Sequence, residues 1–441
     1  MVALHIGLGV LAFTYRPFMF AYLILVIFYF LYRIVTEKDK QQEILIAAAY
    51  IMAAEVFFRM TKAFIFYETG KYLVILFMIL GLVYDGFKKN AFPYVLYILL
   101  LLPGVWMALM NLNYTSNFRT QILFNLSGPL CLAFSAIYCY GKVITEKRFL
   151  QILNIIVYPL ISMVVYVFLY NPDIREVITG TASTQQTSGG YGPNQVTTMF
   201  GLGAFILYSR LFIPYKNKII HIIIMFLMIV MVYRALITFS RGGVIVAVIM
   251  ILVFTLMYFA VSKLNTKLKM VYKIIPIIAG VIVIWLFALI QTGGLIGNRY
   301  ANEDALGREK SDVTTGRGNL MSTDIEGFKE NPIFGLGVGS GKFYRIEEIG
   351  IKAASHNEIT RMLSEHGTFG ILALVILLFA PIVDKLSGRR NIYFFPFLIF
   401  WFLTINHSSM RIAAPAFIFG LCLLHIKSKH EKSSLHRKSI R

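Results

Sequence analysis

Apolar runs recur from one end of the chain to the other, and nothing else in the sequence limits the possible folds as much. A bilayer core of about 30 Å is crossed by about twenty apolar residues wound as a helix, which bonds its own backbone where no water is present. Runs approaching or reaching that length lie at 18–34, 44–58, 72–84, 92–109, 122–140, 150–170, 196–213, 219–237, 244–261 and 274–290, and again at 368–383, 392–405 and 412–426. Residues 1–13 form either a further broken span or a helix lying in the interface. With 58% hydrophobic and 15% charged residues, a chain of 441 residues cannot cover itself with polar surface. The expected fold is all-α: a polytopic transmembrane helix bundle of about twelve to fourteen spans.

A net charge of +20 raises the question of nucleic acid, but its distribution answers for membrane orientation. Lys38 and Lys40; Lys88 and Lys89; Lys142, Lys147 and Arg148; Lys216 and Lys218; Lys263, Lys267, Lys269 and Lys273; Lys385, Arg389 and Arg390; and the tail from Lys427 to Arg441 fall at every second turn. By the positive-inside rule those turns face the cytoplasm and no nucleic-acid partner is expected. The polar interval 292–366 then faces outward. It carries nine bases against eleven acids up to residue 365, a balance of −2, and so holds half of the chain's 22 carboxylates. Cys131, Cys139 and Cys422 sit in apolar spans as small hydrophobes, so no disulfide is expected. The N-terminal apolar segment has no clean cleavage site after a basic stretch and is expected to be retained. The expected organisation is an N-terminal transmembrane bundle at 1–190, a core at 191–385 that includes the loop 292–366, C-terminal spans at 386–426 and a basic cytoplasmic tail at 427–441.

Two helices are predicted inside the loop. Residues 319–329 place Leu320, Met321, Ile325 and Phe328 near one face, and Asn331-Pro332 ends the helix, which is expected to lie on the membrane or the bundle. Ser355-His356-Asn357-Glu358 reads as a capping box, with the serine as cap, Glu358 reaching back and His356 in the first helical position. Glu358, Arg361 and Glu365 have helix-neighbour spacing, and Gly367 is placed to stop the helix before the next span. A helix start disfavours a protonated imidazole, so His356 is biased to the neutral form that accepts a proton; it is otherwise a loop histidine bonded to a neighbouring turn.

Other outward-facing positions carry weaker signals. Arg241, in Ser240-Arg241-Gly242-Gly243, either holds a phosphate bidentately or snorkels at the interface. Asn194, in Gly192-Pro193-Asn194-Gln195, either caps a helix or bonds a polar ligand. Arg317, in Thr315-Gly316-Arg317-Gly318, is a solvated charge or a second phosphate clamp. Asn406, His407, Ser408 and Arg411 form a polar cluster from which Arg411 can add positive charge. Glu55, Arg59 and Lys62 line a substrate path or form a structural ion pair. Gly335, Gly337, Gly339 and Gly341 fit neither a dinucleotide fingerprint nor a phosphate loop and read as a flexible hinge. No zinc motif is present and no metal or other cofactor is expected.

Taken together, Ser240-Arg241-Gly242-Gly243, Thr315-Gly316-Arg317, residues 331–339 (NPIFGLGVG), Ser355-His356-Asn357-Glu358 and Ser364-Glu365-His366-Gly367-Thr368-Phe369-Gly370 resemble the O-antigen ligase and polymerase superfamily, over about residues 191–378. The resemblance implies a membrane glycosyltransferase of the bacterial inner membrane, with its large loop periplasmic. It implies transfer of a glycan from undecaprenyl pyrophosphate to a glycan or glycolipid acceptor such as a lipid A core sugar, with inversion and without a metal or nucleotide. Arg241 and Arg317 match arginines that engage the pyrophosphate, and His356 matches the histidine that activates the acceptor hydroxyl. The family often has another arginine before the Pro-Asn turn. Here Gln185-Gln186-Thr187-Ser188 stands in that place, so Arg175 substitutes from further away or the clamp is built differently. A polymerase joining lipid-linked repeats is the alternative. A flippase or transporter for the same lipid would instead concentrate its function in intramembrane polar residues.

Overall fold

The computed structural model describes residues 1–112, 118–171, 173–213, 217–312, 314, 316–386, 388 and 391–427. Thr315, Lys216, Arg389, Arg390 and the tail beyond Lys427, all named above, lie outside the described residues. The helices are α1 (Val2–Thr14), α2 (Phe18–Glu37), α3 (Glu43–Met60), α4 (Thr69–Asp85), α5 (Phe92–Asn111), α6 (Phe118–Cys139), α7 (Glu146–Tyr170), α8 (Pro193–Leu211), α9 (Lys218–Ile237), α10 (Arg241–Val261), α11 (Leu264–Gln291), α12 (Leu295–Tyr300), α13 (Arg317–Glu330), α14 (Gly341–Ile349), α15 (Glu358–Leu386), α16 (Phe394–Ser408) and α17 (Ala414–Cys422). Eight of them (α2, α5, α6, α7, α9, α10, α11 and α15) are long and apolar enough to cross a membrane, and α1 and α16 are shorter apolar helices. This is an all-α polytopic membrane bundle.

Burial sorts the helices into layers. Every residue of α3 is buried and nearly all of α8 is, so these two run through the middle of the bundle. Along the middle of α9, α10 and α11 the large exposed residues are apolar, among them Ile222, Phe226, Val248, Leu252, Ile282 and Val283, as a lipid-facing surface requires. A two-stranded parallel pairing joins β1 (Val143–Thr145) to β2 (His425–Lys427) and ties the C-terminal segment to the turn after α6.

The basic turns meet at that same end of the molecule. Lys142 pairs with Asp39 at 2.9 Å and with Asp85 at 2.5 Å, Arg148 and Arg33 share Glu43, and Lys88 donates to the Gly141 carbonyl at 2.8 Å. The start of α10 and the segments 187–195, 292–300 and 406–413 cluster at the other end, together with the interval 292–366.

Three local readings change. Helix α13 spans Arg317–Glu330 and stops before Pro332 as predicted, but it buries Leu320, Thr323, Asp324 and Gly327 while Ile325 stays exposed. A buried ion pair between Asp324 and Arg345 claims that face, outweighing the apolar stripe. Gly367, at φ +60°, kinks a helix that continues to Leu386. At the kink the Thr368 amide bonds to Pro332 O at 2.8 Å, and a Cβ on Gly367 would sit 2.5 Å from Ile333 O.

The alternating glycines are not a hinge. Leu336, Gly337 and Val338 amides donate to Ser364 O (2.8 Å), Glu365 O (3.1 Å) and Gly104 O (2.9 Å), threading the backbone between α5 and α15. Gly335 and Gly337 both have positive φ, and a Cβ on either would lie 2.5 Å from a neighbouring backbone atom. The residues are glycine because two helices close on the strand.

Candidate functional site

The segment that carries His356 is held from three sides. Ser355 Oγ donates to Asp324 Oδ2 at 2.9 Å, and its carbonyl accepts from Arg411 Nη2 at 3.0 Å and from Ser409 Oγ at 3.2 Å. Arg411 Nη2 also reaches Ala354 O at 3.2 Å. The capping box does not form as predicted. Asn357 is the cap: its Oδ1 accepts from the amides of Ile359 (2.9 Å) and Thr360 (3.2 Å), and the helix starts at Glu358. The two groups expected to form the box are engaged elsewhere: the Ser355 hydroxyl donates to Asp324, and Glu358 pairs with Arg361 of its own helix, which also binds Glu365.

His356 therefore precedes the helix instead of opening it. It is half-buried, and its Nδ1 is enclosed with no hydrogen-bond partner among the described residues. Its pKa falls to about 3, first because of burial and then because of the Arg411, Arg317 and Arg345 guanidinium groups. The neutral imidazole is thus retained for a reason the sequence reading did not supply.

Four arginines gather around this point. Arg241 Nη1 donates to Arg299 O at 3.4 Å, Arg299 Nε to Phe239 O at 2.9 Å, and Arg317 Nη1 to His407 O at 3.3 Å. Arg241 and Arg317 each depress the ionisation of Arg299, and Arg241 and Arg411 depress that of Arg317, in both cases after burial as the larger cause. Among the described residues, no ion pair joins a carboxylate to Arg299, Arg317 or Arg411. Arg299, Arg317 and Arg411 donate instead to backbone carbonyls. Partly desolvated guanidinium groups brought together in this way are suited to holding an anion.

His407 knits the floor of the cluster. Its ring packs against Gly242, where a Cβ would come within 2.5 Å of Cδ2, and Thr198 Oγ1 lies 3.3 Å from its Nε2. One helical turn before Thr198, Asn194 Oδ1 accepts from Ser240 Oγ at 2.8 Å, fastening the Pro193 turn to the start of α10. Asn406 meets Asn357 at 3.1 Å. Arg241, Arg317, Arg411, Asn194 and His356 are therefore drawn together at one end of the bundle.

Arg175 is exposed and lines a different hollow, with Gln291, Thr292 and Gly293. Arg299 joined the site without having been singled out, and His407, named only as a member of a polar cluster, joined it through its packing. Arg299 looked like any loop base, and the packing of His407 on Gly242 spans two helices far apart in sequence. Lys62 stands exposed at φ +59° and outside the ion-pair set, in which Glu68 and Lys71 take part instead.

Residues 223–375 match the family model described as O-antigen ligase. No curated protein matches the chain. The matched segment holds Arg241, Arg299, Arg317 and His356, while Asn194, His407 and Arg411 come from outside it. Over residues 223–375, within a polytopic helical fold, the chain is thus similar to the O-antigen ligase family.

Proposed function

We propose that the chain is a glycosyltransferase that moves a glycan from undecaprenyl pyrophosphate to an acceptor hydroxyl at the outer face of the bacterial inner membrane. The observation that carries this reading is that Arg299, Arg317 and Arg411, with no carboxylate ion pair among the described residues, gather with Arg241 beside a neutral imidazole whose Nδ1 has no hydrogen-bond partner there. A diphosphate supplies the missing anion, and guanidinium groups grip it through several donors each. The basic turns at the opposite end of the bundle orient this face outward by the positive-inside rule.

In the reaction, the acceptor oxygen attacks the anomeric carbon, the bond from that carbon to the diphosphate oxygen breaks, and the configuration inverts. The hydroxyl proton goes to His356, and the electron pair leaves with the diphosphate, whose growing charge is held by Arg241, Arg299, Arg317 and Arg411. The scheme calls for no metal. A base whose pKa is about 3, lowered first by burial and then by Arg411, Arg317 and Arg345, is weak, but a bound diphosphate offsets the Arg411 and Arg317 contributions. Donor binding therefore raises the proton affinity of His356 at the moment it is needed.

Reconstitution with a defined undecaprenyl-diphosphate oligosaccharide tests the reading. A new glycosidic product that disappears in His356→Ala supports it; translocation of the lipid with no new bond establishes the transporter reading instead. The glycan of a deletion strain separates the two acceptor classes. Loss of attachment marks a ligase, whereas a single attached repeat marks a polymerase.

A further inference from the structure

Glu55 and Arg59 on α3, with Glu68 and Lys71 at the start of α4, form a charge-neutral quartet inside the N-terminal half, outside the matched segment. Arg59 Nη2 meets Glu55 Oε1 at 2.6 Å and lies 3.7 Å from Glu68 Oε2. Lys71 pairs with Glu68, to which Ser127 Oγ also donates at 3.2 Å. All four are less than a tenth exposed. Burying four charges costs desolvation free energy that their mutual attraction often fails to recover, so stability alone is a poor reason for them.

Arg59 Nη1 donates to Tyr191 Oη at 2.9 Å, and the further bonds of Glu55 and Lys71 point to one loop. Glu55 Oε2 accepts from the Ala413 amide at 2.6 Å, and Lys71 Nζ donates to Met410 O at 3.3 Å. These two contacts bracket Arg411, whose guanidinium in turn holds Ala354 O and Ser355 O next to His356. The short loop between α16 and α17 also begins strained, with Ser409 at φ +53°, and a loop of that kind keeps its shape only where its surroundings impose it.

Resting on the transferase reading above, we propose that the quartet is a clamp that positions Arg411, so that Glu55 and Lys71 act on the diphosphate only through that arginine. They are positioning residues and touch no reacting atom. The proposal predicts non-additivity: once Arg411 is gone, loosening its loop has nothing further to lose.

The test is a double-mutant cycle on the full chain in lipid nanodiscs, with undecaprenyl diphosphate as the probe. Arg411→Ala is expected to weaken binding by about tenfold or more, as for loss of a charge-assisted contact. Lys71→Met is expected to weaken it several-fold, and Lys71→Met with Arg411→Ala to bind as Arg411→Ala alone. Losses that multiply in the double variant, or a Lys71→Met chain that binds within twofold of the parent, overturn the clamp while leaving the transferase reading intact. An Arg411→Ala chain that binds the probe normally overturns the role of Arg411 itself. Should Lys71→Met fail to fold because it strands Glu68, the paired change Glu68→Gln with Lys71→Met removes both charges together and enters the same cycle.

Discussion

Arg317→Gln should weaken diphosphate binding while leaving the protein as stable as before or more so. In the free protein the Arg317 cation is disfavoured by burial and by Arg411 and Arg241, and its Nη1 donates to His407 O at 3.3 Å. Glutamine removes the repulsion, and its amide can still donate to that carbonyl. The net cost of a lost neutral-grade bond is about 0.5–1.5 kcal/mol, which relief of like-charge crowding offsets. With diphosphate bound the balance reverses, because a charge-assisted contact to phosphate is lost, worth about 1.5–3 kcal/mol or roughly a 10- to 150-fold rise in Kd. The assay pairs two measurements on the same nanodisc sample: Kd for undecaprenyl diphosphate and the midpoint of thermal unfolding. Unchanged Kd together with a lowered midpoint would refute the argument, since it would make Arg317 a structural residue. A raised Kd together with a lowered midpoint would show that the bond to His407 O matters more than the crowding.

Three further outcomes follow from the same geometry. His356→Ala should reduce transfer by at least about 100-fold, the usual scale for a general base, while Kd for undecaprenyl diphosphate stays within about threefold; parallel loss of both would remove His356 from the chemistry. Because the pKa of His356 is lowered in the fold to about 3, its contribution to stability is fully present above the ordinary imidazole value near 6.5 and is lost as pH falls from there toward 3. His356→Gln should therefore flatten the acid limb of the unfolding-midpoint profile in that window, and an unchanged limb would contradict the assignment. Gly337→Ala should lower the unfolding midpoint sharply, since φ is +96° and the new Cβ would sit 2.5 Å from Ala108 N. Strain alone is about 1–3 kcal/mol before the clash is added, and a hinge would tolerate the change.

Much of the site could be read from residue order. Arg241, Arg317 and His356 were nominated by their motifs and by the side of the membrane that the basic turns assign them, and they lie together. The nature of their surroundings could not be read that way. Ser355-His356-Asn357-Glu358 satisfies the spacing of a capping box, yet Asp324, thirty-one residues earlier, captures the serine. Spacing rules describe competition within one helix and cannot register a partner from another. The same limit explains Arg299, whose place depends on the Phe239 carbonyl, and the glycines at 335–339, which look mobile until α5 and α15 close around them.

The sequence by itself determined that this chain lives in a membrane as a helical bundle, and which end of the bundle carries its exposed chemistry. Hydrophobic length and charge placement are additive along the chain and need no knowledge of neighbours. Only the tertiary structure decided that His356 is neutral because it is buried among arginines, that His407 and Arg299 belong with it, and that charges of the N-terminal half reach the loop bearing Arg411. Desolvation and Coulomb interactions depend on distances in space, and pairs such as Glu55 and Ala413 are 358 positions apart in the chain.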